Sequence, residues 1–528
     1  MAILAGCPRA LAIIASSFCC SVKISVFVTP IYCNITINNT TGFTINNQAW
    51  ISKIYGTGIN IHKLTIVIIC TSISPHFYPM NRDQLILKYN VPAPRYTSYP
   101  TMPFWDKEGI STENWEKSVL RIFEETNREK GISLYLHLPY CESLCTYCAC
   151  NTRITKNHSV EEKYIQALLK EWNHYLQLFT ETPIIREIHL GGGTPTFFSP
   201  ENLGKLMKGL LENAEIHPEP DFGFEGHPNN TSREHLQALY DAGFRRVSYG
   251  VQDLDEKVMR TINRIQPFEN VQRATQDARE IGYDSVNFDL IYGLPYQTLD
   301  TIENTFQKVL ELRPQRIAYY SYAHVPWVKP GQRSYTSADL PDNEYKRALY
   351  ERGKELLLQN GYHDLGMDHF ALEEDSLFQA HQAGTMHRNF MGYTTSNTDL
   401  LIGLGTSSIS DAHYAYAQNL KSVEEYIDSV ETKGQAIFKG HPMTEEDIRV
   451  RSSILELTCK GSMEPGDLSF EQITELAEME EEGLIRLEQG TLRITKLGMT
   501  FLRNICMIFD LKLRREQRQS EELFSKSI

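Results

Sequence analysis

The sequence lacks the features that would mark several classes of protein. Among its 528 residues, 52 are Lys or Arg and 66 are Asp or Glu, so the formal net charge is −14 and no basic surplus exists. Bulk charge therefore disfavours a nucleic acid or an anionic membrane as partner, although a local basic pocket is compatible with it. Hydrophobic residues make up 41% and charged residues 22%, which excludes low-complexity disorder and collagen-like structure. The length suffices for one large or two ordinary domains.

Acidic residues are absent from residues 1–79, which contain only four basic residues, so residues 80–528 carry a net charge of −18. A targeting sequence would explain the missing acids, but basic residues are sparse and amphipathic spacing is lacking. The stretch 10–31 is fairly apolar and could suggest a membrane anchor, but Lys23, Cys19 and Cys20 make it a poor spanning segment. We interpret residues 1–79 as a non-homologous extension, read through from upstream of a true start at Met80. We expect that deleting them leaves activity intact.

The cysteines do not form two separated pairs, which bears on the metal they could hold. Five of the eleven lie in residues 1–79, two stand alone (Cys459 and Cys506), and four are spaced Cys-x3-Cys-x2-Cys-x-Cys from Cys141 to Cys150. A disulfide scaffold would scatter its cysteines through a small domain. Tetrahedral zinc usually takes two separated pairs, whereas closely spaced thiolates on one loop suit an iron–sulfur cluster. The spacing favours iron–sulfur over zinc or a redox thiol site, and leaves all three open.

Six apolar runs alternate with helical patterns and predict βαβ units in a parallel sheet. The runs are 133–138, 187–190, 222–225, 246–252, 286–292 and 316–324, and the helical patterns include 160–179, 200–213, 232–242 and 269–281. Six such units fit a doubly wound sheet or a partial barrel. Unusual residues follow every run at its C-terminal end, which is where barrels build their active sites. The pattern therefore predicts one pocket rimmed by six loops, which begin at Pro139, Gly191, Glu225, Gln252, Asp289 and Tyr322.

Two sets of motifs carry a family resemblance. Cys-x3-Cys-x2-Cys with Tyr147 before the third Cys, followed by a glycine triplet after the next strand, resembles the radical S-adenosylmethionine (SAM) enzymes. Further motifs are similar to those of the oxygen-independent coproporphyrinogen III oxidase family; they are Cys150, Arg95–Thr101, Val251–Asp253, Asn263–Gln266, Asp289–Pro295, Gly366–Phe370 and His387–Thr395. The likeness runs from about Met80 to about Asn419 and continues more loosely to the C-terminus. Ala149 stands where the family commonly has Gly.

The resemblance implies an α/β fold, namely a partial (β/α)6 barrel of radical SAM type. From about His441 the pattern changes to charged amphipathic helices followed by a small hairpin, which predicts a C-terminal, mostly helical, winged-helix-like domain. The resemblance and this change of pattern together divide the chain into an N-terminal segment packing on the active site (80–130), the barrel with its extension (131–440) and a C-terminal helical domain (441–528). The acidic run Glu478–Glu482 argues against DNA binding by that last domain.

The resemblance also implies two cofactors. Cys141, Cys145 and Cys148 would hold a [4Fe-4S] cluster whose fourth iron takes the amino and carboxylate groups of SAM, and reductive cleavage would give a 5′-deoxyadenosyl radical. Cys150 is left over and is a candidate catalytic residue. The family's SAM contacts, which serve two SAM molecules, fall on Tyr135, Tyr147, Gly192, Gly193, Thr194, Glu225, Gln252, Arg264, Asp289, Ala323 and Ile409. Glu225 and Asp289 suit an amine or ribose hydroxyl, and Arg264 suits a carboxylate.

The implied reaction converts two propionates of coproporphyrinogen III to vinyl groups with loss of carbon dioxide, giving protoporphyrinogen IX in haem biosynthesis. Radical abstraction needs no strong general base, so the lack of a catalytic triad is consistent with it. Propionates need cations, for which Arg95, His387 and Arg388 are candidates. The aromatic residues that could wall the macrocycle are Tyr96, Tyr99, Phe390 and Tyr393.

A haem-binding chaperone of the same fold is the alternative, but such homologues generally lack the fourth cysteine and the His-Arg-Asn-Phe segment, and both are present here. A zinc-binding structural protein would not explain the residues at the strand ends. We expect a cytoplasmic monomer that works under anaerobic conditions. Its electron donor would be a protein such as flavodoxin or ferredoxin, and we expect neither a nucleic-acid partner nor a membrane span.

Overall fold

The computed structural model describes residues 80–106, 109–516 and 524, and the backbone of two further strands, β1 (Val22–Val28) and β2 (Ile31–Ile37). These strands pair antiparallel, with Val22 opposite Ile37. The sequence analysis did not predict this hairpin. The rest of residues 1–79 lies outside the described residues, and their interpretation as an extension stays a prediction.

Strands and helices alternate through the described chain. The further strands are β3 (Ile132–Leu138), β4 (Tyr140–Cys141), β5 (Arg153–Ile154), β6 (Ile184–Gly192), β7 (Glu215–Gly226), β8 (Arg246–Gln252), β9 (Ser285–Tyr292), β10 (Arg316–Ser321), β11 (His363–Gly366), β12 (His369–Ala371), β13 (His387–Asn389), β14 (Gly392–Thr394), β15 (Leu401–Leu404), β16 (Ile409–Asp411), β17 (Ala415–Asn419), β18 (Ile437–Pro442), β19 (Ser462–Met463), β20 (Ile485–Glu488) and β21 (Thr491–Ile494). The α-helices are α1 (Arg82–Tyr89), α2 (Thr112–Lys130), α3 (Val160–Leu178), α4 (Pro200–Leu211), α5 (Arg233–Asp241), α6 (Glu256–Thr261), α7 (Phe268–Ile281), α8 (Leu299–Leu312), α9 (Asn343–Gln359), α10 (Ser376–Ala383), α11 (Val423–Lys433), α12 (Glu445–Lys460), α13 (Phe470–Glu481), α14 (Leu502–Phe509) and α15 (Leu511–Arg515).

One sheet of twelve strands organises the larger compact unit, which comprises residues 91–461 and 500–528. Its order is β11-β12-β10-β9-β8-β7-β6-β3-β15-β16-β17-β18, and the six strands from β3 to β10 in this row are parallel, each beside its successor in the chain. The helices of the βαβ units connect these strands, so all six strands end at the same edge. The six predicted strands and the α/β architecture are confirmed.

The central strands are buried on both faces, and in β3 the leucines of one face alternate with Ser133, Tyr135 and His137 on the other. In β3, Leu134, Leu136 and Leu138 have no solvent exposure, and only Tyr135 is partly exposed. Near-continuous burial of this kind is typical of parallel strands. The helices start at polar caps; the hydroxyl of Ser199, for example, accepts a hydrogen bond from the Asn202 amide, and Pro200 opens α4.

The smaller unit comprises residues 1–90 and 462–499. It contains α1, α13 and a three-stranded sheet in the order β19-β21-β20. The ammonium group of Lys88 lies 2.6 Å from carboxylate oxygens of both Glu478 and Glu482. Helix α1 falls in the smaller unit and α12 in the larger. The domain boundaries and the winged-helix description stay predictions.

Among the helices of the described ranges, none combines the length and apolar character that crossing a membrane would require.

Candidate active site

The glycine turn after β6 packs directly against the start of the cysteine loop. The Gly193 amide donates a hydrogen bond to the Leu138 carbonyl (2.8 Å), and the Thr194 amide donates to the Tyr140 carbonyl (3.0 Å). A Cβ atom on Gly193 would lie 2.6 Å from the carbonyl oxygen of Pro139, closer than such contacts allow. Glycine is therefore required here by the protein's own packing, and not only for an approach by a ligand.

Two neighbouring segments brace the cysteine loop. On one side, the Thr146 amide donates to the Ile262 carbonyl (2.9 Å) and the Asn263 side chain donates to the Leu144 carbonyl (2.8 Å). On the other side, the Gln332 side-chain amide donates to the Tyr147 carbonyl (3.3 Å). The loop is thus held in place by the chain that follows β8 and the chain that follows β10.

A cavity of about 550 Å³ at the C-terminal ends of the strands, here called the cysteine cavity, gathers most of the predicted site. It is lined by all four cysteines of the loop and by eight of the eleven predicted SAM contacts, which are Tyr147, Gly192, Gly193, Thr194, Glu225, Gln252, Arg264 and Asp289. Residues from five successive strand ends therefore converge on one space, as the barrel pattern predicts.

Each of the three candidate cluster ligands has a hydrogen-bond donor beside its sulfur. The Thr194 hydroxyl lies 3.3 Å from Sγ of Cys141, an Nη1–H of Arg264 points at Sγ of Cys145 (3.6 Å), and the Cys150 thiol bonds to Cys148. Burial raises the pKa of Cys141 to about 11, whereas the Cys150 hydrogen bond lowers that of Cys148 to about 6.

This donor set fits an iron–sulfur cluster, because hydrogen bonds to the thiolates stabilise their negative charge. Within the described ranges, no group of three or more His, Cys, Asp or Glu side chains converges tightly enough to hold a single metal ion. A cubane binds its thiolates on separate irons, whereas a mononuclear zinc site binds them all on one ion.

Two carboxylates face the cysteine cavity with different acidities. Burial tends to raise the pKa of Glu225, but hydrogen bonding and the His189 ring, 3.4 Å away, hold it below its ordinary value. Burial, with a further contribution from Glu225, raises the pKa of Asp289 to about 6. Asp289 accepts hydrogen bonds from Ser248 (3.0 Å) and Asn287 (2.9 Å). The Glu225 carboxylate is therefore ionised throughout the neutral range, whereas the Asp289 carboxylate gains a proton as the pH falls through about 6. Both negative charges face the space where a cationic ligand could bind.

Arg264 is already bonded to groups of the protein, while its predicted pairing with a carboxylate stays a prediction. Its Nη2 donates to the Gly250 carbonyl, its Nε donates to Gln266 (3.2 Å), and its Nη1 points at Cys145. Three of its five donors are thus directed at groups of the protein, and one N–H on each of Nη1 and Nη2 remains. The geometry also directs the guanidinium at a cluster thiolate.

A second cavity of about 590 Å³ adjoins the first and shares Cys150, Gly192 and Glu225 with it. Its wall includes two more predicted SAM contacts, Tyr135 and Ile409. It also includes the predicted substrate residues Arg95, Tyr96 and Phe390. Arg95 is exposed and its guanidinium reaches the Ser321 carbonyl at the end of β10 (3.5 Å).

Arg388 lies behind this wall as a buried cation. It is 6% exposed, donates to the Arg95 carbonyl (3.3 Å) and sits 4.8 Å from the centre of the Tyr393 ring. Its Nε and Nη1 have no hydrogen-bond partner among the described residues. It positions Arg95 and adds positive charge without lining either cavity.

Four sequence candidates lie elsewhere. His387 lines a different cavity, of about 1130 Å³, near the N-terminal ends of the strands, and lines neither cavity at their C-terminal ends. Tyr99 and Tyr393 are buried side chains that line neither site cavity, and the Tyr393 hydroxyl donates to the Thr458 carbonyl (2.7 Å). Ala323 is exposed, outside both cavities, and its carbonyl accepts from Gln332 (3.1 Å).

Sequence reasoning missed two histidines of the second cavity. His137 bonds to the Tyr135 hydroxyl (3.1 Å) and to the Asn151 carbonyl (2.8 Å), and burial lowers its pKa. Its ring occupies the space beside Gly192, where a Cβ would lie 3.0 Å away. His189 pairs with Tyr135 across the strands and stacks on its ring. The signal was present, because Ser133, Tyr135 and His137 put polar groups at alternate positions of an otherwise apolar strand.

Comparison with known proteins adds three likenesses. Residues 135–309 match the family model described as Radical SAM superfamily. An oxygen-independent coproporphyrinogen III oxidase of Escherichia coli is 37% identical over 455 residues, which cover 84% of this chain and 98% of the relative. An oxygen-independent coproporphyrinogen III oxidase of Synechocystis sp. is 33% identical over 460 residues, which cover 84% of this chain and 97% of the relative. The solved structure of coproporphyrinogen III oxidase (HemN) from Escherichia coli, a radical SAM enzyme, is 35% identical with a TM-score of 0.76, covering 82% of this chain and 99% of that one. The resemblance found in the sequence is confirmed.

Proposed function

The chain belongs to the oxygen-independent coproporphyrinogen III oxidases of the radical SAM superfamily, and from this premise we propose how its two cavities divide the work. The protein oxidatively decarboxylates two propionates of coproporphyrinogen III to vinyl groups, giving protoporphyrinogen IX in haem biosynthesis. Its cofactors are a [4Fe-4S] cluster and SAM. The observation that carries the proposal is the pair of adjoining cavities, one lined by the cysteines and the other by Arg95, which share Cys150, Gly192 and Glu225.

The cysteine cavity is the cofactor side. Cys141, Cys145 and Cys148 hold the cluster, and their neighbouring donors stabilise the thiolates. When bound, the cluster and SAM supply a carbon-centred radical that can abstract a propionate hydrogen. Glu225 and Asp289 place negative charge where the cationic SAM lies, and Arg264 supports Cys145. Cys150, at the junction of both cavities, donates to Cys148 and separates cofactor from substrate.

The second cavity is the substrate side. The flat macrocycle needs apolar walls, which Tyr96 and Phe390 offer, and its propionates need cations. Arg95 reaches into this space and pairs with a propionate, while Arg388 holds the Arg95 backbone.

The charge balance behind Arg95 supports this assignment. Burial raises the pKa of Asp368 while Arg95, Arg503 and Arg388 oppose the rise. Burial and, to a smaller extent, the charge of Arg95 together lower the pKa of Lys346 to about 8. The cations near Asp368 thus outnumber the carboxylates, which are Asp368 and Asp364, and substrate carboxylates would add negative charge there.

An anaerobic assay tests the function. Reconstituted protein with SAM, dithionite and coproporphyrinogen III should release carbon dioxide and form vinyl groups, detected by mass spectrometry. The Cys145→Ser variant should lose cluster absorbance and product, whereas Cys459→Ser, a buried cysteine outside both cavities, should keep both. Finding no vinyl product but tight haem binding by the wild type would favour the chaperone alternative.

The remaining partners belong to the same proposal. A low-potential one-electron donor such as flavodoxin or ferredoxin reduces the cluster in the cell. The monomeric state and the cytoplasmic location stay predictions, which sedimentation and cell fractionation would test.

A further inference from the structure

A half-buried lysine without an assigned role lies at the C-terminal end of β10. The ammonium group of Lys346, on α9, donates a hydrogen bond to the Tyr322 carbonyl (2.6 Å). The guanidinium of Arg95 donates to the carbonyl of the preceding residue, Ser321 (3.5 Å). Two cations from distant parts of the chain therefore meet at one strand end. This end belongs to the edge of the sheet where barrels build their active sites.

The fold leaves space for the Lys346 side chain at a glycine. Gly293 follows β9 with a φ of +84°, and a Cβ atom at this position would lie 2.5 Å from Cε of Lys346 and 2.9 Å from its Cδ. Any other residue here would push the lysine stem aside, because carbon atoms do not approach one another so closely. The glycine thus lets the stem cross the chain and brings the ammonium group to the strand end.

Neither of the two cations has a carboxylate of its own. Within the described part of the chain, the bonds of Lys346 and Arg95 go to carbonyl groups, and no ion pair involves either side chain. The groups that face the Lys346 ammonium are Arg95, Asp368 and the ring of Tyr292, whose centre is 5.9 Å away. The charge of Arg95 opposes protonation of Lys346, whereas that of Asp368 favours it.

Asp368 is shared among too many cations to neutralise this pair. Arg388 and Arg503 act on the same carboxylate. The neighbouring carboxylate, Asp364, already lies 2.6 Å from the ammonium group of Lys354. Positive charge therefore exceeds negative charge at this strand end, and such an excess is costly in a site shielded from water. A bound carboxylate would lower that cost.

We propose that Lys346 acts beside Arg95 as a second cation that binds one propionate carboxylate of the substrate. This inference rests on the proposed function, which places a substrate with four propionates in the second cavity. The ammonium group has three N–H donors and uses one for Tyr322, so two can serve a carboxylate. A propionate is favoured over the carboxylate of SAM, because Arg95 lines the second cavity and not the cysteine cavity.

Equilibrium binding of coproporphyrinogen III in the absence of SAM tests this site without turnover. Lys346→Met should raise the dissociation constant about tenfold, as expected for loss of a charge-assisted hydrogen bond, and Lys346→Arg should stay within about threefold of wild type. Lys170→Met is the matched control, because Lys170 on α3 also donates to a carbonyl, that of Glu431 (2.7 Å), but lines neither cavity. It should stay within about twofold of wild type.

The pH dependence separates a binding role from a structural one. Lys346 has a pKa of about 8, so its protonated fraction falls about tenfold between pH 7 and pH 9. If the neutral amine binds as weakly as Lys346→Met, the wild-type dissociation constant should rise about fivefold over this range. Lys346→Arg should not show the rise, because arginine stays charged. The proposal fails if wild-type binding is constant from pH 7 to pH 9, or if Lys346→Arg keeps the rise.

Steady-state kinetics with SAM and dithionite identify the source of the carboxylate. Lys346→Met should raise the KM for coproporphyrinogen III and leave the KM for SAM within about twofold of wild type. The opposite result would assign the carboxylate to SAM and overturn the proposal. A wild type that binds coproporphyrinogen III but forms no vinyl product would overturn the function, while the dissociation constants would still decide the role of Lys346.

Discussion

The titration of Asp289 should be visible in the affinity for SAM. Its pKa is raised to about 6 by burial and by Glu225, while its oxygens accept hydrogen bonds from Ser248 and Asn287. If only the ionised form pairs with the cationic cofactor, the apparent dissociation constant scales with the ionised fraction. Asp289 is about 90% ionised at pH 7 and about 10% ionised at pH 5. SAM binding should therefore weaken about tenfold between these pH values.

The sign follows from the direction of the shift. Protonation removes the negative charge as pH falls through 6, so affinity is highest above the pKa and is lost below it. The sulfonium charge of SAM does not titrate. Glu225 stays ionised to lower pH because its pKa is held below the ordinary value, so it keeps part of the attraction at pH 5.

Equilibrium dialysis of SAM against protein with an oxidised cluster measures this without turnover. Asp289→Asn should raise the dissociation constant at pH 7 about tenfold, as expected for loss of a charged partner, and should flatten the pH dependence. Asp253→Asn is the matched control, because Asp253 is buried with a pKa of about 6 but lines neither cavity. It should leave the slope intact. A wild-type affinity that is constant from pH 5 to pH 7, or a slope that survives in Asp289→Asn, would refute the reasoning.

Three further predictions follow from packing and charge. Gly193→Ala should destabilise the fold by about 1–3 kcal/mol, because the new methyl group meets the Pro139 carbonyl. Gly204→Ala should be neutral or stabilising, because a methyl group at this position of α4 meets no atom within 4 Å. Thermal unfolding compares the two variants. Burial raises the pKa of Glu171 from 4.5 to about 7, so the free energy of unfolding should fall by about 3 kcal/mol as the pH rises from 4.5 to 7. In guanidinium unfolding, the Glu171→Gln variant should lack this part of the pH dependence. An equal pH dependence in both proteins would count against the prediction. Arg388→Met should raise the KM for coproporphyrinogen III about tenfold with partial rescue in Arg388→Lys, and steady-state kinetics showing an unchanged KM would contradict its positioning role.

Local pattern was sufficient for the barrel strands and for the place of the cysteine loop. Parallel strands buried on both faces are continuous apolar runs, and the ends of β3, β6 and β7 could be read from the residues that interrupt those runs. Because parallel strands share their C-terminal edge, the convergence of Cys141, Gly192 and Glu225 also followed from the sequence.

Long-range pairing could not be read in this way. β15 lies parallel to β3 although more than 250 residues separate them, and its antiparallel neighbour β16 carries Ile409, which lines the same cavity as Tyr135. Nothing in Leu401–Leu404 distinguishes this strand from any short apolar run. The assignment of Ile409 therefore depended on the family resemblance and not on periodicity.

The error at His387 has a simple geometric cause. His387 and Arg388 are consecutive residues of β13, and successive side chains of a strand point to opposite faces. The side chains of His387 and Arg388 therefore cannot both face the substrate. Arg388 bonds to the Arg95 backbone behind the second cavity, and His387 faces the cavity near the N-terminal ends of the strands.

The buried arginines differ in whether a carboxylate forms an ion pair with them. Near the N-terminal ends of the strands, Arg246 lies 2.9 Å from Asp221 and Arg316 lies 2.6 Å from Asp375, so each buried cation has its own carboxylate. Arg388 is equally buried, yet it forms no ion pair among the described residues; it donates to the Arg95 carbonyl, and the carboxylate that acts on it through space is that of Asp368. A buried charge without an ion-pair partner is costly, so Arg388 is the less favourably paired of these arginines. Because Arg388 lines neither cavity, its effect on a substrate propionate is indirect and passes through the Arg95 segment that it holds at the wall of the second cavity.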